Sequence, residues 1–150
     1  MDLAELAARE AIRDLVAAYA HLADGGRFDE LLDLFTEDGA LRGGEAPEAR
    51  GRDAIRAFLV GTGRDLEGVT RVAFIRHHVS NLRIEMKGLD EARGVAYFLV
   101  VTDRGVDHWG RYRDEYARIG GRWLFRHRRA RLDGFAPGSW SAQRRSRSGS

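Results

Sequence analysis

The sequence predicts an α+β fold, and three observations carry that prediction. Helical periodicity dominates the first sixty residues. Period-2 alternation dominates from about residue 73 to residue 132. Turn residues, Lys87–Asp90, Thr102–Asp107 and Gly120–Gly121, cut that second region into four successive strands. Helices first and consecutive strands after give an antiparallel sheet with helices on one face, since each layer must bury its apolar side against the other.

Leu3 to Ala23 is predicted helical, with Leu6, Ile12, Leu15, Val16 and Tyr19 on one face and Arg9, Glu10 and Arg13 opposite. Asp24-Gly25-Gly26 ends it, glycine being the residue that takes a left-handed conformation at low cost. Phe28 to Phe35 is expected as a second short helix, Thr36 to Gly39 as a turn, and Ala40 to Arg42 as a short strand. Gly43 to Gly51 is expected as a loop. Asp53 is a candidate N-cap for a third short helix, Ala54 to Val60, with a glycine-rich loop from Gly61 to Thr70.

Strands are expected at about Ala73–Met86, Ala92–Val101, Trp109–Ile119 and Arg122–Leu132, with Gly120-Gly121 as a hairpin turn. Residues 1–134 are expected as one domain and 135–150 as a flexible tail, because Pro137, glycines and serines crowd the end.

Composition narrows the classes. The 150 residues are 43% hydrophobic, which suits a globular domain with a core. No run approaches the roughly 18 to 20 apolar residues of a membrane span. The N-terminus has no basic and then apolar stretch like that of a signal peptide. With no cysteine, thiolate ligands, disulfides and a cysteine nucleophile are excluded, and a cytoplasmic location is expected. The net charge of +2 spreads 25 cations, almost all arginine, among 23 acids, so neither a nucleic-acid nor a membrane partner is expected.

The chemistry concentrates in Ile75-Arg76-His77-His78-Val79-Ser80-Asn81. Imidazole titrates near neutrality, so a strand histidine facing a cavity is a proton-transfer candidate. Adjacent histidines point to opposite faces of a strand, and no metal site is expected from His21, His77, His78, His108 and His127. Polar and aromatic residues that could face the helices are His77, Asn81, Tyr97, Tyr112 and Arg128. Asp24 is equally a helix-end turn residue, and Asp103 equally a solvated loop carboxylate.

Four stretches together resemble the SnoaL-like group of the nuclear-transport-factor-2-like superfamily. They are Tyr19 to Asp29 with Leu34 to Gly39, Gly51-Arg52-Asp53-Ala54-Ile55 with Phe58, His77 to Ile84, and Gly110-Arg111-Tyr112 with Gly121-Arg122-Trp123 and Arg128. The resemblance implies a cone-shaped curved sheet wrapped around N-terminal helices, a cystatin-like α+β barrel. Within the group the pattern is similar to scytalone dehydratase and its relatives, in which an Asp–His pair abstracts a proton. Carried over by position, Asp24 and His77 match the pair, His78 stays in reserve, and Tyr19 is a candidate to polarise a substrate oxygen.

The resemblance thus implies a cofactor-free lyase of the dehydratase type acting on a cyclic, oxygenated small molecule. An isomerase or polyketide-type cyclase using the same pair, or a non-catalytic binding or assembly module, are the alternatives. His78, Asn81, Tyr97, Asp103, Tyr112 and Arg128 are candidate substrate contacts. A homodimer or homotrimer is the implied assembly.

Overall fold

The computed structural model describes residues 1–69 and 73–148. The α+β expectation holds, with helices leading into one curved sheet. The elements in chain order are α1 (Leu3–Asp24), α2 (Phe28–Leu32), β1 (Phe35–Gly43), β2 (Ala49–Arg50), α3 (Arg52–Val69), β3 (Ile75–Met86), β4 (Glu91–Thr102), β5 (Gly105–Ile119), β6 (Arg122–Phe135) and α4 (Trp140–Ser148). The sheet order is β2-β1-β6-β5-β4-β3. It is not a closed barrel, because β2 and β3 are left as edges. It is also mixed rather than purely antiparallel, since β1 runs parallel to β6 while the other pairs are antiparallel.

Helix α1 begins under Asp2, whose side chain accepts the Glu5 amide at 2.8 Å. Its buried stripe is Ile12, Leu15, Val16, Tyr19 and Ala20, while Leu6 lies outside it and is exposed. Arg9 ties the helix to the sheet by donating from Nη1 to the Ile84 carbonyl at 2.7 Å. The stripe meets Leu31, Phe35, Leu41, Ile55, Tyr116 and Phe125 in one core. The hairpin between β5 and β6 turns on Gly120 and Gly121, both at positive φ (57° and 79°), as a two-residue turn with the twist of its strands requires.

Four local expectations need correction. Phe35 is the first residue of β1, fully buried and paired with Phe125, rather than the end of a helix. The Thr36–Gly39 turn is an irregular stretch of that strand, where the register with β6 shifts and Glu37 and Asp38 point to solvent. Helix α3 does not stop at Val60 but runs to Val69, through Gly61, Gly63 and Gly68. Asp53 is inside its first turn, where a carboxylate suits the helix dipole, rather than before it. Thr70, the last residue of the expected loop, lies outside the described residues.

The fourth correction concerns the chain after residue 135. The expected loose tail contains helix α4, and Ser139, Trp140 and Ser141 at its start are buried. Asp107 provides the anchor. Its carboxylate accepts the amides of Trp140 (2.9 Å) and Ser141 (3.2 Å), and its carbonyl accepts that of Ala136 (2.8 Å). The Trp140 and Ser141 amides belong to the first turn, which no residue of α4 itself can satisfy. Among the described residues, no helix is long and apolar enough to cross a membrane.

Candidate active site

Between the helices and the concave side of the sheet lies a cavity of about 680 Å³. Its lining comes from α1 (Tyr19, Ala23), α2 (Phe28), α3 (Phe58, Leu59, Thr62), the sheet, and α4 (Trp140, Ser141). The wall is mostly apolar and aromatic, with a few polar groups converging, which is the usual makeup of a small-molecule site.

His77 is one of those polar groups. The alternation of β3 turns Ile75, His77 and Val79 inward and Arg76, His78 and Ser80 outward. Asp24, the last residue of α1, is behind the imidazole and holds His77 through both its ring and its backbone. One carboxylate oxygen is 2.6 Å from His77 Nδ1, and the other accepts the His77 backbone amide at 2.9 Å. The side chains retain 22% and 10% of their exposure, so the pair is shielded but reaches the cavity. A carboxylate on Nδ1 directs the lone pair of Nε2 away from it, toward the cavity.

Tyr19 and Tyr112 line the cavity close to this pair. Among the described residues neither hydroxyl has a hydrogen-bond partner. Burial raises the pKa of both phenols above the usual tyrosine value, against the pull of Arg128, so both stay protonated donors.

Arg128 is completely buried and does not line the cavity. Its guanidinium is stacked beneath Tyr112 (3.8 Å), Tyr19 (4.3 Å) and Phe125 (4.5 Å). It binds Asp114 on the neighbouring strand through two bonds, of 3.0 and 3.1 Å, and Tyr116 donates to the same carboxylate at 2.9 Å. Burial opposes the charge on Arg128, but Asp114 and the two tyrosines hold its pKa above the usual arginine value. The expected direct substrate contact is thus replaced by a cation behind the tyrosine rings.

Four other expected contacts lie away from the cavity. His78 and Tyr97 are on the convex face, where Tyr97 is 57% exposed. Asp103 is in the β4–β5 turn and accepts the Ala73 amide at 3.0 Å. Asn81 also faces outward, because β3 bulges between Ser80 and Arg83 and Asn81 takes a φ of 56°. Asparagine is among the few non-glycine residues that adopt this conformation readily.

The cavity also has polar groups that sequence reasoning did not single out. His108 on β5 lines it, with Nδ1 2.8 Å from the Asp107 carboxylate. Glu45 and Arg145 line it from the β1–β2 connection and α4, paired at 3.3 Å. The sequence signals were an acid–imidazole dipeptide at the start of a strand and a tryptophan in an otherwise polar tail. Among the described residues, no three of His, Asp and Glu are grouped so as to hold a metal ion.

Residues 4–129 match the SnoaL-like domain. The chain belongs to the SnoaL-like family. Its solved relatives include a protein provisionally named scytalone dehydratase from Novosphingobium aromaticivorans, 26% identical over 91% of each chain with a TM-score of 0.78. A nuclear-transport-factor-2-like protein with a cystatin-like fold from the same organism is 29% identical over 96% of each chain, with a TM-score of 0.72. The hexachlorocyclohexane dehydrochlorinase LinA-type3 of Novosphingobium barchaimii shares the fold at 23% identity, covering 91% of this chain and 94% of its own, with a TM-score of 0.77. No curated protein matches the chain.

Proposed function

We propose that this SnoaL-like protein is a cofactor-free lyase catalysing a dehydratase-type β-elimination on a cyclic, oxygenated small molecule. The observation that carries the reading is the pair of hydrogen bonds between Asp24 and His77 at the edge of an aromatic cavity. His77 Nε2 takes the proton from the carbon next to a carbonyl, and Asp24 stabilises the imidazolium that results. Electrons from the broken C–H bond form the enolate and then the new double bond. The hydroxyl on the β-carbon leaves with the proton returned by His77, as water. Tyr19 or Tyr112 donates to the carbonyl oxygen as negative charge gathers there. Arg128, stacked behind both rings, favours that charge through them.

The same pair serves an isomerase or a cyclase. The 26% likeness to the provisionally named scytalone dehydratase favours elimination. A binding module has no need of a carboxylate shielded behind a cavity imidazole. Exposed Val95, Tyr97, Leu99 and Trp109 on the sheet support a homodimer or homotrimer as part of this reading.

The test is turnover of a panel of cyclic β-hydroxy carbonyl compounds, followed by absorbance of the conjugated product. Asp24→Asn and His77→Ala should each lower kcat by about 10²- to 10⁴-fold while both variants melt cooperatively. A fully active His77→Ala protein overturns the assignment. A rearranged product without loss of water would move the reading to isomerase.

A further inference from the structure

The cavity holds a second imidazole backed by a carboxylate, and elimination at His77 makes no use of it. His108 retains 12% side-chain exposure and lines the cavity between Phe98 (ring centroids 6.0 Å apart) and Trp140 (5.9 Å). Asp107, 4% exposed at its side chain, accepts a hydrogen bond from Nδ1 at 2.8 Å. The same carboxylate accepts the Trp140 and Ser141 amides, so it is held from two sides and cannot swing away from the ring. With Nδ1 as the donor, Nε2 has only its lone pair to offer, and among the described residues it has no partner.

We propose that His108, oriented by Asp107, is a second binding pole of the cavity and accepts a hydrogen bond from a substrate hydroxyl. The site then takes a ring compound carrying a hydroxyl remote from the carbon that His77 attacks. A carboxylate or an ether oxygen at that place would face a lone pair and gain nothing. The low exposure of His108 supports the neutral, accepting form, since burial lowers its pKa below the usual histidine value despite Asp107, and a charge on His77 acts in the same direction. The proposal rests on the reading above only in taking this cavity as the substrate's seat, and the chemistry at His77 is separable from it.

The test is binding of 2-naphthol and of 2-methoxynaphthalene by calorimetry, because the two differ in one donor proton. The parent protein should bind 2-naphthol about tenfold more tightly, the worth of one ordinary hydrogen bond. His108→Phe, which keeps a ring and removes the acceptor, should abolish that preference, and His77→Gln should keep it. In the parent labelled with ¹⁵N-histidine, 2-naphthol should shift the Nε2 resonance of His108, a signature that a merely structural histidine would not give. Equal affinities for the two compounds, no binding of either, or a preference lost in His77→Gln and kept in His108→Phe would overturn the proposal. If the preference holds while no β-hydroxy carbonyl is turned over, elimination is refuted and the second pole stands.

Discussion

The two Asp–His pairs of the cavity have nearly the same local geometry, with Nδ1–carboxylate distances of 2.6 and 2.8 Å, but they are built in opposite ways. Asp24 and His77 are 53 residues apart and meet only because α1 ends beside edge strand β3. Asp107 and His108 are neighbours in the chain, and the long-range partner of their carboxylate is helix α4. In the first pair the carboxylate has one residue to serve. In the second it divides its oxygens between an imidazole and a helix start, so ring orientation and helix docking depend on one side chain. The lesson is that an Asp–His pair is defined by what else its carboxylate holds.

The largest expected effect that would break this comparison is on activity. Asp24→Ala should reduce turnover by about a thousandfold and leave amide exchange in α4 as in the parent. If α4 exchanges faster in that variant, the two pairs are not independent. Next comes stability. Asp107→Ala should cost about 2 kcal/mol in urea unfolding, because it orphans two buried helix amides and an imidazole N–H. Faster exchange should appear first at Trp140 and Ser141. Unchanged exchange there would show that α4 is held by packing alone.

The smallest effect sharpens the contrast through pH. His108 has a folded pKa below its unfolded value of about 6.5, with burial as the main cause. Both states are neutral above that value, and there His108 adds no pH dependence. As the pH falls through 6.5 the unfolded chain takes up the proton first, so stability declines until the lowered folded pKa is reached. The slope from this one group is at most about 1.4 kcal/mol per pH unit. His108→Gln should flatten the decline between pH 6.5 and 5, measured by urea unfolding at each pH. An unchanged slope would place the acid sensitivity elsewhere.

The sequence was informative where one period dominated. Alternation alone put His77 and His78 on opposite faces, and the structure keeps them there. It failed at Tyr97, because β4 has apolar residues on both faces: Ala96, Phe98 and Val100 are buried, while Val95, Tyr97 and Leu99 are exposed. It failed at α3, because three glycines disfavour a helix locally by about 1 kcal/mol each and packing against β1, α2, β2 and α4 outweighs that. Docking of α4 was invisible because its anchor is a carboxylate 33 residues earlier in the chain. The Asp24–His77 contact was reached through resemblance, since nothing local connects a helix end to a strand that far along.

The bulge in β3 has a meaning for how this family's chains can change length. Between Ser80 and Arg83 the strand advances one residue more than its partner β4 does between Tyr97 and Val95. That surplus residue is a stored insertion. In a regular strand it would reverse every side chain on one side of it, and His78 would replace His77 in the cavity. Confined to one left-handed asparagine, it leaves Val79 and Leu82 both inward, and the imidazole end and the core end of β3 stay in step. Removing Asn81 should therefore shorten the strand and leave His77 aimed into the cavity, which makes the bulge a point of β3 where a residue can be dropped at little cost to the site.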